Sequence, residues 1–352
     1  MTGISEVERC AICTLPAIHP MAELDEQKVC KACRNKIVQE RKQNVFENEA
    51  QLIAALAPFK NAGKKYDVVV PLSGGVDSSF ALIRIVEVFN LRPLVFHNDH
   101  GFEDPVATEN VRKLCASLDV DLLLWQHDFN FMKSLWRHLN TSNIPGASAC
   151  YLCANVIYMN ALEITDAFDV PLLINGYSKG QAEIIEQKKR GTDVLAQYLQ
   201  YISKHDPKFT EQFMAKYRIL SRQRIFSGVQ DLEAGPTKQI LTIPFFLFSF
   251  YKTDKVKLQE ECRKRFDWQP MKTSYPSRTT NCAMIWLNTY ADKRKFGYSV
   301  YDEEYAGMVR SGDMSAVQAL KDLEYNPPEG MLEKLADEIG YDLNQHYDQK
   351  SK

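Results

Sequence analysis

Long apolar runs are missing from this sequence. No stretch approaches the roughly 18 consecutive apolar residues of a membrane-spanning helix, so a membrane span is not expected. The N-terminal MTGISEVERC lacks a basic stretch followed by an apolar one, so neither is a secretory signal. A charge bias is also missing. The balance of 43 Lys and Arg against 45 Asp and Glu gives −2, which does not advertise a polyanion partner. Local patches such as Lys188-Lys189-Arg190 and Arg222-Gln223-Arg224 keep local contact with one open, although neutrality favours a small-molecule substrate over tRNA. There is no internal repeat and no low-complexity tract. With 45% hydrophobic and 25% charged residues, composition excludes the disordered and fibrous classes. A chain of 352 residues can bury one large core with appendages, or two modest domains.

Cysteine, by contrast, is plentiful. Nine cysteines in a chain with cytoplasmic character point to metal or catalytic thiols rather than disulfides. Cys10, Cys13, Cys30 and Cys33 form two C-x2-C pairs. Each pair can present two thiolates from a tight turn, and two such turns complete a tetrahedral zinc site of structural type. Cys115 shares an apolar helix face with Val111, Leu114 and Leu118 and reads as core.

Residues 37–58 carry apolar residues at helical spacing and read as a linking helix stopped by Pro58 and Gly63. Strands are then expected at Asp67–Leu72, Arg92–Asn98, Asp121–Gln126, Val170–Asn175 and Ile240–Phe246. Helical patterns fill the intervals near 77–90, 105–118, 130–140 and 150–168. This alternation predicts a doubly wound parallel sheet covered on both faces, an α/β fold. Residues 186–230 read as a helical insertion without strong strand signals. The chain is again helical from about 252, with a charged tail after Pro327-Pro328.

The stretch Ser73-Gly74-Gly75-Val76-Asp77-Ser78-Ser79 joins the first strand to the first helix of the sheet. Its glycines let backbone N–H groups converge on an anion, and the helix N-terminus adds a favourable dipole. The hydroxyls of Ser73, Ser78 and Ser79 can donate to phosphate oxygens, and Asp77 can hold Mg²⁺. The lysine of a Gly-x4-Gly-Lys-Ser phosphate loop is absent, which makes γ-phosphoryl transfer the weaker expectation. A simple helix cap would account for one hydroxyl but not for the string.

SGGVDSS resembles the pyrophosphate-binding loop of the N-type ATP pyrophosphatases, the PP-loop superfamily. The resemblance implies an adenine nucleotide alpha hydrolase-like fold that binds ATP, cleaves it between the α- and β-phosphates and adenylates a substrate oxygen. LVFHNDHG, with His97 and Asn98, lies where that family's second strand ends and its backbone meets adenine. LLINGYSKGQAE, with Gly176, lies at a later strand end close to the nucleotide. The resemblance divides the chain into a zinc ribbon (1–36), a linking helix (37–62), the PP-loop domain (63–250, with the insertion 186–230) and a helical C-terminal region (251–352).

Two subfamilies compete. The chain is similar nearly end to end to the N-acetyl sugar amidotransferases, down to the N-terminal cysteine pairs and the segment KRKFGYSVYDEEYAGMVRSGDMSAVQALKDLEYNPP. That likeness implies ammonia from a separate glutamine amidotransferase subunit and an acetamidino sugar product. Cys150 and Cys153, with Cys282 further on, resemble instead the three cysteines of the iron–sulfur tRNA-thiolation enzymes. Three thiolates leave one iron of a [4Fe-4S] cluster open for sulfide from a sulfur donor, which can attack the adenylated carbon. Two departures set the substrate apart from tRNA: Ser178-Lys179-Gly180 replaces an acidic pair, and Tyr158 and Met159 stand near where a basic residue is expected. A second zinc site using Cys262, or an inert buried pair, stays open for Cys150 and Cys153. The leading expectation is sulfur transfer, with Asp77, Ser78, Cys150, Cys153 and Cys282 as catalytic residues. The ammonia-using enzyme is the alternative, and a non-catalytic nucleotide-binding scaffold is opposed by the intact Asp77 and serines. None of His97, His100 and His127 is expected to act as a catalyst. A homodimer stays open.

Overall fold

The computed structural model describes residues 7–38, 46–62, 65–187, 191–217, 220–226, 228–248, 250–272, 274–276 and 281–347. Lys188-Lys189-Arg190 lies outside them, as does the middle of the expected linking helix. On either side of that gap are α1 (Lys31–Val38) and α2 (Glu49–Leu56).

The expected α/β alternation follows. It runs β1 (Val68–Pro71), α3 (Val76–Glu87), β2 (Pro93–Asp99), α4 (Pro105–Leu118), β3 (Asp121–Gln126), α5 (Phe129–Thr141), α6 (Ala149–Ala167) and β4 (Leu172–Asn175). Local chemistry sets the element ends. At α4 the Asp104 carboxylate accepts the Val106 N–H, Pro105 occupies the first turn, and Asp119 closes the helix at φ +53°. Next come α7 (Lys179–Gln187), α8 (Gly191–His205), α9 (Pro207–Lys216), β5 (Gln223–Ile225), α10 (Val229–Glu233), β6 (Ile240–Pro244) and α11 (Phe245–Phe248). The chain ends with α12 (Lys255–Phe266), α13 (Ile285–Phe296), α14 (Val300–Ser311), α15 (Ala316–Asp322) and α16 (Met331–Ile339). Among the described residues, no helix is long and apolar enough to cross a membrane.

The six strands form one parallel sheet in the order β3-β2-β1-β4-β6-β5. One expectation is corrected here. The insertion 186–230 is not wholly helical, because Gln223–Ile225 pairs in parallel with β6. Three mainly polar residues on a sheet edge carry no alternation or apolar run, so the strand left no signal.

Side chains of the central strands alternate between two layers. Val68, Val70, Leu172 and Ile174 pack with α3, α4 and α12, whereas Val69, Leu94 and Leu173 meet α6. A further core joins α5, α6, α8 and α9 to the C-terminal helices. The N-terminal cysteine module buries its centre against Ala306 of α14.

Candidate functional site

The strand order reverses between β1 and β4, and the crevice outside the carboxyl ends of strands at such a switch is where open α/β sheets bind ligands. The Ser73–Ser79 loop leaves β1 at this point. Gly75 is the N-cap of α3, and no side chain caps it. The Gly75 N–H reaches Ser73 Oγ at a long 3.4 Å, and the N-cap residue offers no side chain to the N–H groups that follow it. Instead the hydroxyls serve the loop itself: Ser73 and Ser78 Oγ lie 3.1 Å apart, and Ser78 Oγ donates to the Gly75 carbonyl at 3.3 Å. Ser79 Oγ and Asp77 Oδ1 are buried without a hydrogen-bond partner among the described residues. These features fit an anion with its cation, not a plain helix cap.

Two glycines set the loop's position. Gly74 has φ +76°, and a Cβ there would sit 2.3 Å from the Ala107 carbonyl oxygen. Trp268 Nε1 donates to the Gly74 carbonyl at 2.9 Å and Asn110 Nδ2 at 3.4 Å, which fixes the peptide that carries the Gly75 N–H. Gly176, expected to approach the nucleotide, approaches the loop: its Cβ would lie 2.5 Å from Ser78 Cα. Gly176→Val should push the loop off its strand, costing about 1–3 kcal/mol by overpacking. Calorimetric titration with a non-hydrolysable ATP analogue should show affinity falling by about tenfold or more; an unchanged affinity would place the nucleotide elsewhere.

The lysine missing from the loop is supplied from a distance. Lys255, the first residue of α12, is buried and ion-paired with Asp77 Oδ2. Burial pushes the Asp77 carboxyl above the usual range, and Lys255 opposes that shift. Two further acids come from the C-terminal helices. Glu304 of α14 is buried, accepts a hydrogen bond from Ser178 Oγ at 2.9 Å, and is also raised by burial. Asp313, just past α14, accepts from Thr253 Oγ1 at 2.6 Å and faces Lys179 Nζ at 3.6 Å. Ser178 and Lys179 thus each hold an acid from elsewhere in the chain.

At the end of β2, His97 Nδ1 meets the Leu72 carbonyl at 2.7 Å and its Nε2 faces Glu103 Oε2 at 2.8 Å. Burial works against a charge on His97, but Glu103 outweighs it and the pKa is raised. Asn98 Oδ1 meets His127 Nε2 at 2.7 Å, so the side chains of His97 and Asn98 serve the scaffold. Glu103 also pairs through its backbone with Cys282 and accepts from Asn281 Nδ2 at 2.7 Å.

Cys282 is thereby carried to the first turns of α6, where Cys150 and Cys153 lie. Burial pushes all three thiols up, Cys153 to about 12, and the charge of Cys153 and Cys150 adds to the shift at Cys282. The three occupy one cluster with Trp286 and Met284, and Glu103 acts on Cys153 and Cys282 alike. Cys262 takes no part; it lies in the core below the loop with its sulfur 3.9 Å from the Val76 carbonyl. Cys115 is core, as expected.

Among the described residues, the four N-terminal cysteines are the group whose ligand atoms gather tightly enough for one ion, all within 4.8 Å. Cys10 and Cys33 sulfurs lie 3.9 Å apart, and those of Cys13 and Cys30 lie 3.5 Å apart. A tetrahedron with metal–sulfur bonds of about 2.3 Å has edges of about 3.8 Å, so the spacing fits a four-thiolate site. Hydrogen bonds from Cys13 and Cys33 lower the pKa of Cys30, while the bond with Cys30 raises that of Cys13.

Fold and site together define a doubly wound α/β protein with an uncapped glycine–hydroxyl loop at its switch point and two separate cysteine groups. No family model matches the chain. An uncharacterized protein of Methanocaldococcus jannaschii is 22% identical over 319 residues, covering 90% of this chain and 93% of that protein. Two solved structures are similar at low scores. The U34-tRNA thiolase of Methanococcus maripaludis with its [4Fe-4S] cluster covers 98% of this chain and 93% of its own, at 14% identity and TM-score 0.35. The NH3-dependent NAD synthetase of Campylobacter jejuni covers 38% of this chain at 18% identity and TM-score 0.31. The chain spans 56% of that synthetase's length.

Lys255, Glu103, Glu304 and Asp313 are the site residues that sequence reasoning missed. Lys255, Glu304 and Asp313 are distant in sequence from what they touch, Glu103 faces the nearby His97 from a loop, and the stretches around all four carry no local pattern that marks them.

Proposed function

We propose that this chain is an ATP pyrophosphatase-type enzyme that adenylates a carbonyl oxygen and replaces it with sulfur, releasing pyrophosphate and AMP. A carbonyl oxygen leaves poorly; as part of AMP it leaves well. In this reading the uncapped start of α3, the hydroxyls of Ser73, Ser78 and Ser79, and Lys255 bind the pyrophosphate portion of ATP. Asp77, with Oδ1 unpartnered, holds Mg²⁺ beside it. Cys10, Cys13, Cys30 and Cys33 hold a structural zinc.

What supports the sulfur reading is that Cys150, Cys153 and Cys282 pack into one cluster, with Cys282 bridged through its backbone to Glu103, which also faces His97 at the strand end next to the loop. The three sulfurs do not close to single-ion spacing as the N-terminal four do, which favours a larger group over a second zinc. A [4Fe-4S] cluster held there by three thiolates would supply an iron with an open position to carry sulfur. A small, neutral amide-like or lactam acceptor fits the balanced charge of the chain better than a polyanion.

Anaerobic reconstitution tests this reading. Wild-type chain should hold about four irons with matching acid-labile sulfide. Cys150→Ser, Cys153→Ser and Cys282→Ser should each lose them while keeping zinc and ATP binding. Turnover should yield AMP and pyrophosphate; ADP and phosphate would refute the pyrophosphatase assignment. Iron-free protein that still makes AMP and pyrophosphate would transfer the assignment to the ammonia-using amidotransferase.

A further inference from the structure

The first turn of α6 is bound to α13 by a seam of buried polar groups. Asn288, Asp292 and Lys295 stand at i, i+4 and i+7 on one face of α13. Asn288 is 2% and Asp292 1% exposed, and the Lys295 side chain is fully buried. Ser148 Oγ donates to Asp292 Oδ2 at 2.5 Å, and Lys295 Nζ donates to the Leu139 carbonyl at 3.3 Å while facing Asp292 Oδ1 at 3.6 Å. Asn288 Nδ2 donates to Cys150 Sγ at 3.3 Å. Behind it, Asn140 of α5, itself wholly buried, donates to Asn288 Oδ1 at 2.8 Å.

An apolar face would pack two helices at lower desolvation cost, so polar groups buried this deeply call for a purpose beyond packing. The direction of the chain of donors supplies one. With its carbonyl committed to Asn140, the Asn288 amide can only offer N–H to the sulfur. Such a bond is strong toward an anionic or metal-bound sulfur and weak toward a neutral thiol. Asn288 is therefore arranged for Cys150 as a ligand.

We propose that Asn288, locked by Asn140, is a positioning residue that holds Cys150 as a cluster ligand and raises the cluster's reduction potential by withdrawing charge from its sulfur. This rests on the cluster reading above. Hydrogen bonds to the sulfurs are among the groups that set iron–sulfur potentials, and removing a donor leaves more negative charge where an electron must be added.

The experiment is a redox titration of the reconstituted full-length chain, followed by absorbance and paramagnetic resonance. Asn288→Leu should keep its iron and sulfide but have a reduction equilibrium about tenfold less favourable, about 59 mV lower for a one-electron couple. Asn140→Leu, which frees the amide without removing it, should shift the potential the same way by less, and serves if Asn288→Leu fails to fold. Ser148→Ala loosens the same seam without touching the sulfur and should leave the potential unmoved. Equal potentials in wild type and both asparagine variants, with iron intact, would overturn this inference and leave the cluster reading standing. A matching shift in Ser148→Ala would reduce Asn288 to a packing role and overturn it as well. Wild-type protein that takes up no iron at Cys150, Cys153 and Cys282 would remove the cluster reading and this inference together.

Discussion

Lys255→Met should abolish measurable ATP binding and also destabilise the protein by about 3–5 kcal/mol, the usual penalty for removing one partner of a buried ion pair. The second effect follows from what is left behind. Asp77 sits at the start of α3 with Oδ1 unpartnered and Oδ2 on Lys255, and burial already drives its carboxyl upward. Asp313 adds like charge to the same place. Removing the ammonium removes the charge and hydrogen bond that hold Asp77 down, so its folded-state pKa rises further above the unfolded value of about 3.9. The sign of the pH dependence is then fixed. A carboxyl with a raised folded pKa is not penalised below its unfolded pKa, and stability falls as pH rises from there through the folded pKa. The gap between variant and wild type should accordingly be small near pH 4 and widest at neutral pH. Urea midpoints measured across that range check it, and a gap independent of pH would mean that Asp77 is not the group left uncompensated. Asp77→Asn in the Lys255→Met background should restore much of the stability but none of the nucleotide binding.

The same residues show what a single sequence makes legible. The Ser73–Ser79 loop could be singled out because its chemistry is contiguous: seven residues hold the turn, the hydroxyls, the acid and the helix start. The helix Pro105–Leu118 matched its expected bounds because cap, first-turn proline and apolar spacing all fall within that stretch. Strand β3 could also be placed, although it is the exposed edge of the sheet, because Leu122–Trp125 form a short apolar run bounded by polar residues. Lys255 and Glu103 had no such signal. Each looks like a surface charge at a helix start or a loop, and only the fold reveals that one faces Asp77 and the other faces His97. Asn288 was equally silent, since one polar residue among several on a helix gains meaning only from Cys150 and Asn140 opposite. Strand β5 shows the same limit for backbone: an edge strand of three residues is held by its neighbour rather than by its own pattern.

Cys30→Ser should unfold the N-terminal module, and the damage should travel to the Ser73–Ser79 loop although no cysteine of that module touches it. Zinc in a four-thiolate site contributes about 10–16 kcal/mol to a segment that does not fold alone, so losing one ligand removes the module's main support. The module's docking surface is α14. Arg9 pairs with Asp302 at 3.0 Å, His19 faces Glu303 at 3.5 Å, and Arg310 Nη1 lies 3.3 Å from Cys13 Sγ. Ala306 is buried in the module's core. Directly after Asp302 and Glu303 comes Glu304, whose side chain turns the other way to Ser178 and feels both Lys255 and Asp77. Three successive acids on one helix thus connect the cysteine module to the surroundings of Asp77 and Lys255. With the module unfolded, Asp302 loses Arg9 and Glu303 loses His19, and α14 loses the packing that holds Glu304 in place. Hydrogen exchange should show residues 300–311 losing protection while β1 and β2 keep theirs. Affinity for ATP should fall by about tenfold, within the range typical of coupling between distinct sites. Chelation of zinc from the wild-type chain should reproduce both changes, and readdition should reverse them. Full protection of 300–311 in zinc-free protein would show that α14 stands without the module.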